Sequence, residues 1–130
     1  VEVEQMLLVP NYLARSPIHG IGVFAAKFIK RGTVVWVYDE GIDHYITVQT
    51  FEALPLRAQE FLHTYACRFS SEQFCVYGDN VRFINHARPG NIGYAIGIDG
   101  EYIALRDIQV GDELVTDYAL ICIDFIDGQL

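Results

Sequence analysis

Three short segments of this chain carry residue types that could do chemistry together. In the first, the apolar approach Arg82-Phe83-Ile84 delivers Asn85 and His86 into a turn at Pro89-Gly90, closed by Asn91. In the second, His19-Gly20-Ile21-Gly22 forms a backbone that can turn sharply and come close to a ligand without Cβ atoms in the way. The third, Gly111-Asp112-Glu113-Leu114-Val115-Thr116-Asp117-Tyr118, is an acidic strand that ends in a tyrosine. Each is commonplace alone; their order and spacing carry the signal. Other chemistries fall away. Gly20-Ile21-Gly22 leads into a strand rather than a helix and lacks a third glycine at the right offset, so it is no dinucleotide cradle. Cys75 and His86 could form a thiol hydrolase only if something lowered the cysteine pKa, and no basic residue stands beside Cys75 in sequence. His63 and Cys67 share a helix face at i, i+4 but have no second pair, so they are assigned to core packing and no metal site is expected.

The elements that must position these segments are short. Gly22-Val23-Phe24-Ala25-Ala26 and the β-branched, aromatic run Thr33-Val34-Val35-Trp36-Val37-Tyr38 predict two strands of one small sheet, separated by the turn residues Arg31-Gly32. Pro55 opens a helix as its first helical residue, and Ala58, Phe61, Leu62 and Tyr65 follow at i, i+3, i+4 and i+7 as its apolar face. A strand at Phe74-Cys75-Val76-Tyr77 comes next. Residues 92–98 and 101–105 predict a hairpin turning at Asp99-Gly100, where glycine tolerates positive φ. Arg106 to Gly111 makes a polar turn before the strand Glu113 to Thr116.

At 130 residues with 52% hydrophobic content, the chain fits a single domain, 1–130, with a real core. A formal net charge of -8 argues against a direct nucleic-acid face and favours encounter with a basic partner. The one local basic group, Lys27, Lys30 and Arg31, is assigned to a solvated loop. Three cysteines, Cys67, Cys75 and Cys122, with no C-x-x-C are expected to be reduced and mostly buried. Neither a signal peptide nor an apolar run of roughly 18 residues is present, so the expectation is a reducing intracellular compartment, cytoplasm or nucleus, with no membrane partner. The first residue is Val rather than Met, which fits a processed chain or a piece of a longer one.

Over Ser16 to Asp124 the segments resemble the signature set of SET-domain protein lysine methyltransferases. Arg82-Phe83-Ile84-Asn85-His86 matches the family core residue for residue, and Asn91 falls on its closing asparagine. Ala87 stands where serine is usual, the proline comes one position early, and Asp112 replaces the first Glu of the acidic strand. The resemblance implies a mainly β fold with short helices: a β-clip-like set of small sheets with a C-terminal pseudoknot, in which the final segment threads beneath a loop near Asn85-His86. It implies S-adenosyl-L-methionine as cofactor. His19, Gly20, Ile21 and Gly22 would line its methionine end, Asn85 its amino group and His86 its adenine. Tyr118 would sit by the transferred methyl, and Phe125, the only aromatic after Tyr118, against the adenine.

The implied reaction is a direct displacement by a lysine amine, so the protein must align the reactants, exclude water and keep the amine neutral. A lysine of pKa about 10.4 in water is depressed by burial and by an adjacent sulfonium. Counting from Gly22 places Tyr38, and counting from Asn85 places Tyr94, on the family's lysine channel; with Tyr118 they are the candidate catalytic residues. The implied partner is a Lys-containing basic protein or peptide, histone-like or otherwise Lys-rich. The apolar tail after Tyr118 suggests either a cofactor cover or a homodimer contact. The competing reading is a non-catalytic SET-like interaction module. Tyrosine at position 94 tends in the family to restrict the product to monomethyl-lysine. A Tyr94→Phe variant is therefore expected to shift products toward di- and trimethyl-lysine by mass spectrometry, and an unchanged distribution would remove that assignment.

Overall fold

The computed structural model describes residues 7–68, 70, 72–94 and 101–122. The first half of the chain runs β1 (Asn11–Arg15), β2 (Ile21–Ala25), β3 (Val34–Val37), β4 (His44–Thr47), α1 (Val48–Glu52), α2 (Leu56–Tyr65) and β5 (Ala66–Arg68). The second runs β6 (Gln73–Val76), a 3₁₀ turn at Asn80–Phe83, β7 (Asn85–His86), β8 (Ile92–Tyr94), β9 (Glu101–Ala104), β10 (Glu113–Thr116) and a 3₁₀ turn at Tyr118–Leu120. These strands form three small sheets of order β1-β2-β10-β7, β3-β9-β8 and β4-β6-β5. The mainly β expectation holds.

In β2, alternation turns Val23 and Ala25 fully into the core while Phe24 stacks on Tyr12 of β1 at 5.6 Å. β2 and β3 do not share a sheet, contrary to the sequence expectation. The connection between them is long enough to cross to another layer: Ile29 pairs instead with Ile108, and Gly32 turns the chain at φ 88. A similar corner precedes β10, where Gly111 also has φ 88. Alternation specifies which face of a strand is buried and leaves its hydrogen-bonding neighbour open.

α2 forms where the apolar spacing placed it, although Pro55 occupies the N-cap with ψ 149 rather than the first helical position. Of the expected face only Leu62 is buried. It joins Phe51 and Phe74 in a small second core, while Phe61 lies 49% exposed and packs along the helix on Tyr65. The main core lies among the first two sheets and includes Val23, Val35, Trp36, Ile92, Tyr102 and Leu114. The hairpin register places Tyr94 opposite Tyr102; its expected turn at Asp99-Gly100 lies outside the described residues.

The C-terminal threading is visible in the bonds of β10. β7 pairs with β10 in parallel, Val115 opposite Asn85 and Thr116 opposite His86. The Val115 carbonyl accepts from the Asn91 N–H at 2.9 Å, and the next carbonyl, Thr116, accepts from the Ala87 N–H at 3.1 Å. Successive carbonyls of a strand point in opposite directions. The segment from Ala87 to Asn91 therefore reaches β10 from two sides, and the strand passes beneath it.

The expectation of three reduced cysteines needs correction. Cys67 of β5 and Cys122 form a disulfide across 55 residues, with Cα atoms 5.4 Å apart. Sequence spacing could not show this, because the pair is made only when the segment after Tyr118 folds back beside β5. The Cys67 sulfur also lies 3.2 Å from the Ile121 carbonyl oxygen, an acceptor for the thiol in the reduced form. Cys75 is buried and free.

Gly90 is required by space. A Cβ there would meet the Thr116 Cα at 2.7 Å and the Asp117 nitrogen at 2.8 Å, both backbone atoms of the threaded strand. Gly90→Ala is expected to lower stability by about 1–3 kcal/mol, the usual penalty for overpacking. Chemical denaturation of the two proteins would check this, and equal midpoints would contradict the close crossing.

Candidate active site

The segments singled out by their chemistry meet around one buried amide. Asn85 is 7% exposed, and its Nδ2 donates to the His19 carbonyl at 2.9 Å, to the Ile21 carbonyl at 3.4 Å and to Glu113 Oε2 at 2.9 Å. Glu113 in turn accepts from the Ser16 hydroxyl, 2.9 Å from each carboxylate oxygen. Ser16 Oγ accepts the N–H groups of Ile18 and His19, and the Ser16 N–H donates to the Gly20 carbonyl at 2.8 Å. The His19–Gly22 turn is thus shaped by polar side chains behind it, each satisfying another out of water.

The two glycines do different things. Gly20 has φ 48, and nothing stands within 4 Å of where its Cβ would be, so its backbone presents an open surface. Gly22 is buried, and a Cβ there would collide with the Glu113 carboxylate, whose Cδ would lie 2.9 Å away. The close approach predicted at this glycine is therefore made by the protein's own carboxylate. Glu113 and Ser16 were not singled out from sequence. A carboxylate at the first position of a strand that then runs into the core through Leu114 and Val115 was the available signal.

Tyr118 arrives at the same place from the C-terminal side. Its hydroxyl donates to the Ile84 carbonyl, and its N–H donates to His86 Nδ1 at 3.0 Å. Because Nδ1 accepts that bond, the 3.8 Å approach of Asp117 to the same atom is not an ion pair. The Asp117 carboxylate is instead engaged by Arg88, at 2.9 and 3.2 Å, and by the Ala119 N–H. The Arg88 hydrogen bond holds its carboxyl below the usual range. Burial, reinforced by the charge of Glu113, pushes the Tyr118 hydroxyl up to about 12. Tyr118 thus stays protonated, with its proton directed at Ile84 and its oxygen left as an acceptor.

Tyr38 and Tyr94 belong to a second group of rings. Tyr38 stacks on Tyr45 at 4.4 Å, and its hydroxyl donates to the Asp43 carbonyl at 3.2 Å. Tyr94 meets Tyr102 edge to face at 4.9 Å, and the Tyr102 hydroxyl lies 3.0 Å from that of Tyr77. Tyr38, Tyr77 and Tyr118 all pack on the main core. Cys75 lies on β6, in the third sheet, whereas His86 lies on β7 in the first, and burial pushes the Cys75 thiol up to about 12. A thiolate nucleophile is disfavoured there. His63 is exposed and packs edge-on against Phe51 at 5.1 Å, whereas Cys67 lies on β5, past the end of α2, and is bonded to Cys122, so the two do not share a helix face as expected and only Cys67 is a core residue. Phe125 lies outside the described residues.

The arrangement fits a nucleoside carrying an amino-acid end. β7 is the edge of its sheet. Since Ala87 turns its N–H to β10, alternation directs the main-chain N–H and C=O of His86 away from β10, a donor and an acceptor side by side. An adenine edge offers the complementary N6 donor and N7 acceptor. The open backbone at Gly20 and the oxygen face of Asn85 suit the polar amino-acid end.

The SET domain family profile matches residues 20–119. Histone-lysine N-methyltransferase 2D of Homo sapiens and of Mus musculus are each 31% identical over an alignment of 130 positions that covers 91% of this chain. The chain spans about 2% of the length of these relatives. A humanized mutant of Chaetomium thermophilum Polycomb Repressive Complex 2, bound to an inhibitor, superposes with TM-score 0.64 at 25% identity, over 85% of this chain and 15% of that one. A Plasmodium falciparum protein shares the fold at TM-score 0.57 and 19% identity, over 89% of this chain and 95% of that one. The chain belongs to the SET-domain family.

Ultraviolet titration of wild type against Tyr118→Phe isolates this one hydroxyl. Its tyrosinate step is expected near pH 12 rather than at the ordinary 10.0. A step at the ordinary value would mean that Tyr118 is solvated and does not hold the Ile84 carbonyl.

Proposed function

We propose that this SET domain, as a single unit spanning 1–130, is a protein-lysine N-methyltransferase that uses S-adenosyl-L-methionine and places one or few methyl groups on a lysine of a basic protein tail. The observation that carries this reading is the convergence of Tyr118 on the Asn-His strand. The hydroxyl is held against the Ile84 carbonyl one residue before Asn85, whose amide fixes the His19–Gly22 turn. A tyrosine oxygen, a turn with an open backbone face and an edge strand are thereby rigidly related.

Bound cofactor would supply an electrophilic methyl on a positively charged sulfur. The chain's own part is binding and alignment. His19 through Gly22 and Asn85 would hold the amino-acid end, and the His86 main chain the adenine. Tyr118 cannot act as a general base while its pKa is near 12. It can instead accept a hydrogen bond from the incoming amine or weak C–H contacts from the methyl, effects that matter only in fixed geometry. Tyr38 and Tyr94 are proposed as walls of the lysine channel. Charge supports the choice of partner, since a net -8 attracts a Lys-rich segment, histone-like or other, which would add in extended form at a sheet edge.

No helix among the described residues is long and apolar enough to cross a membrane. An intracellular, reducing location in nucleus or cytoplasm is part of the proposal. Disulfides are rare there, so in that compartment the Cys67–Cys122 bond would be reduced and Cys67 would stand as a thiol with the Ile121 carbonyl as its acceptor. The tail on which a homodimer or a Phe125 cover would rest lies mostly outside the described residues.

Calorimetric titration with S-adenosylmethionine tests the reading. Micromolar binding is expected, weakened about tenfold or more in Asn85→Ala, which strips buried hydrogen bonds from the turn. Tyr118→Phe is expected to keep that affinity while its turnover on a Lys-rich protein falls on the order of 100-fold. Absence of binding in the wild type would favour a non-catalytic interaction module, and full turnover in Tyr118→Phe would remove its assigned role.

A further inference from the structure

The bonds that His86 makes select one of its protonation states. Its Nδ1 accepts the Tyr118 N–H at 3.0 Å, so that nitrogen carries a lone pair and the imidazole is neutral. Asp117 Oδ1 stands 3.8 Å from the same Nδ1 and is the ready acceptor if that nitrogen takes up a proton. The two states exclude each other, because a protonated Nδ1 cannot accept and the Tyr118 N–H would lose it as a partner. Arg88 decides between them. From the loop above β10 its Nε donates to Asp117 Oδ2 at 2.9 Å and its Nη2 to Oδ1 at 3.2 Å, a fork that engages both oxygens. The His86 and Asp117 side chains are mostly buried, whereas Arg88 covers Asp117 from outside with its own side chain 51% exposed. Of the other described titratable groups around β7, Tyr118 faces the imidazole with its ring 5.3 Å away and its hydroxyl protonated. Glu113 bonds to Asn85, which alternation turns to the opposite face of the strand.

We propose that Arg88 is a positioning residue for methyl transfer: by occupying the Asp117 carboxylate it leaves His86 neutral, and the neutral His86 keeps Tyr118 seated. This rests on the reading of Tyr118 as the tyrosine beside the transferred methyl. An uncompensated carboxylate next to an imidazole favours its charged form, and a guanidinium on that carboxylate offsets the attraction. In the neutral state Tyr118 is fixed at both ends, its main chain on His86 and its hydroxyl on Ile84. A proton on Nδ1 releases the main-chain end, and an oxygen that acts only in fixed geometry loses its alignment. Asp117 also caps the 3₁₀ turn that begins at Tyr118, accepting the Ala119 N–H at 3.0 Å, so a carboxylate drawn toward His86 disturbs the same turn. Arg88 acts through these two side chains and takes no part in the bond changes of the reaction.

Two pH series on the same proteins decide it. The first is kcat/KM with recombinant core histones as methyl acceptor, taken as the ratio of Arg88→Gln to wild type so that protonation of the substrate lysine cancels. That ratio is expected to fall about three- to tenfold as the pH drops from about 8 to about 6, the range in which an imidazole gains its charge. Arg88→Lys, which keeps the positive charge, should stay near wild type across the series. The double variant R88Q/D117N should lose the pH dependence of the ratio, because the carboxylate that draws the proton is gone while an asparagine oxygen can still cap Ala119. A merely structural role for Arg88 would lower the rate equally at every pH. The second series needs no substrate: the His86 imidazole nitrogens, followed by NMR, should turn from neutral to charged at a higher pH in Arg88→Gln than in wild type, and revert in R88Q/D117N. An imidazole that titrates alike in wild type and Arg88→Gln would overturn the proposal. So would a shifted imidazole beside a pH-independent activity ratio, since His86 would then not act on turnover. If no lysine is methylated at any pH, the reading of Tyr118 falls with its role in transfer, and the imidazole series by itself decides whether Arg88 holds His86 neutral.

Discussion

The structure depends on one constraint: the Asn85 amide leaves bulk water beside the half-buried Glu113 carboxylate, so it must be satisfied by groups that only this fold brings near. Uncompensated burial of such groups would cost several kcal/mol. Ser16, the carbonyls of His19 and Ile21, and Asn85 itself supply the partners. Segments that are distant in sequence are locked into one polar knot, and the glycine turn takes its shape from it. Gly22 lacks a side chain because the carboxylate occupies that space.

The second lock is the passage of β10 beneath the segment from Ala87 to Asn91. Asn91 closes both of its ends onto the strand: its Nδ2 donates to the Glu113 carbonyl at 2.8 Å, and its Oδ1 accepts from the Val115 N–H at 2.8 Å. The side chain of a buried asparagine thus continues a backbone ladder where the loop cannot. This crossing brings Tyr118 against Ile84, and Asp117 against Arg88 on the loop above. The tyrosine is placed by topology, and its high pKa follows from the burial that the topology imposes.

The aromatic cluster around Trp36 obeys different physics. Trp36, Tyr77, Tyr94 and Tyr102 form a graded series from fully buried rings to a partly exposed one, joined by ring edges and hydroxyls. Rings with two rotatable bonds lose little entropy on packing and carry a polar tip that must find a partner. Such a cluster holds its outermost ring while leaving one edge accessible.

The sequence alone determined the strand-forming runs at β2, β3, β6 and β10, helix α2, and the residues that gather at the site, because periodicity, turn chemistry and the Asn-His and Asp-Tyr motifs are local properties. It did not disclose β1, α1, β4 or β5, whose short runs carry weak patterns. It also joined β2 to β3 where the fold separates them. Only the tertiary structure decided that Glu113 fills the space behind Gly22, that Cys67 meets Cys122, and that Tyr102 stands behind Tyr94. Each of these is a contact between segments far apart in the chain, and such contacts are set by which hydrogen-bonding and apolar surfaces find partners in the folded whole. No residue's immediate neighbours in sequence record that choice.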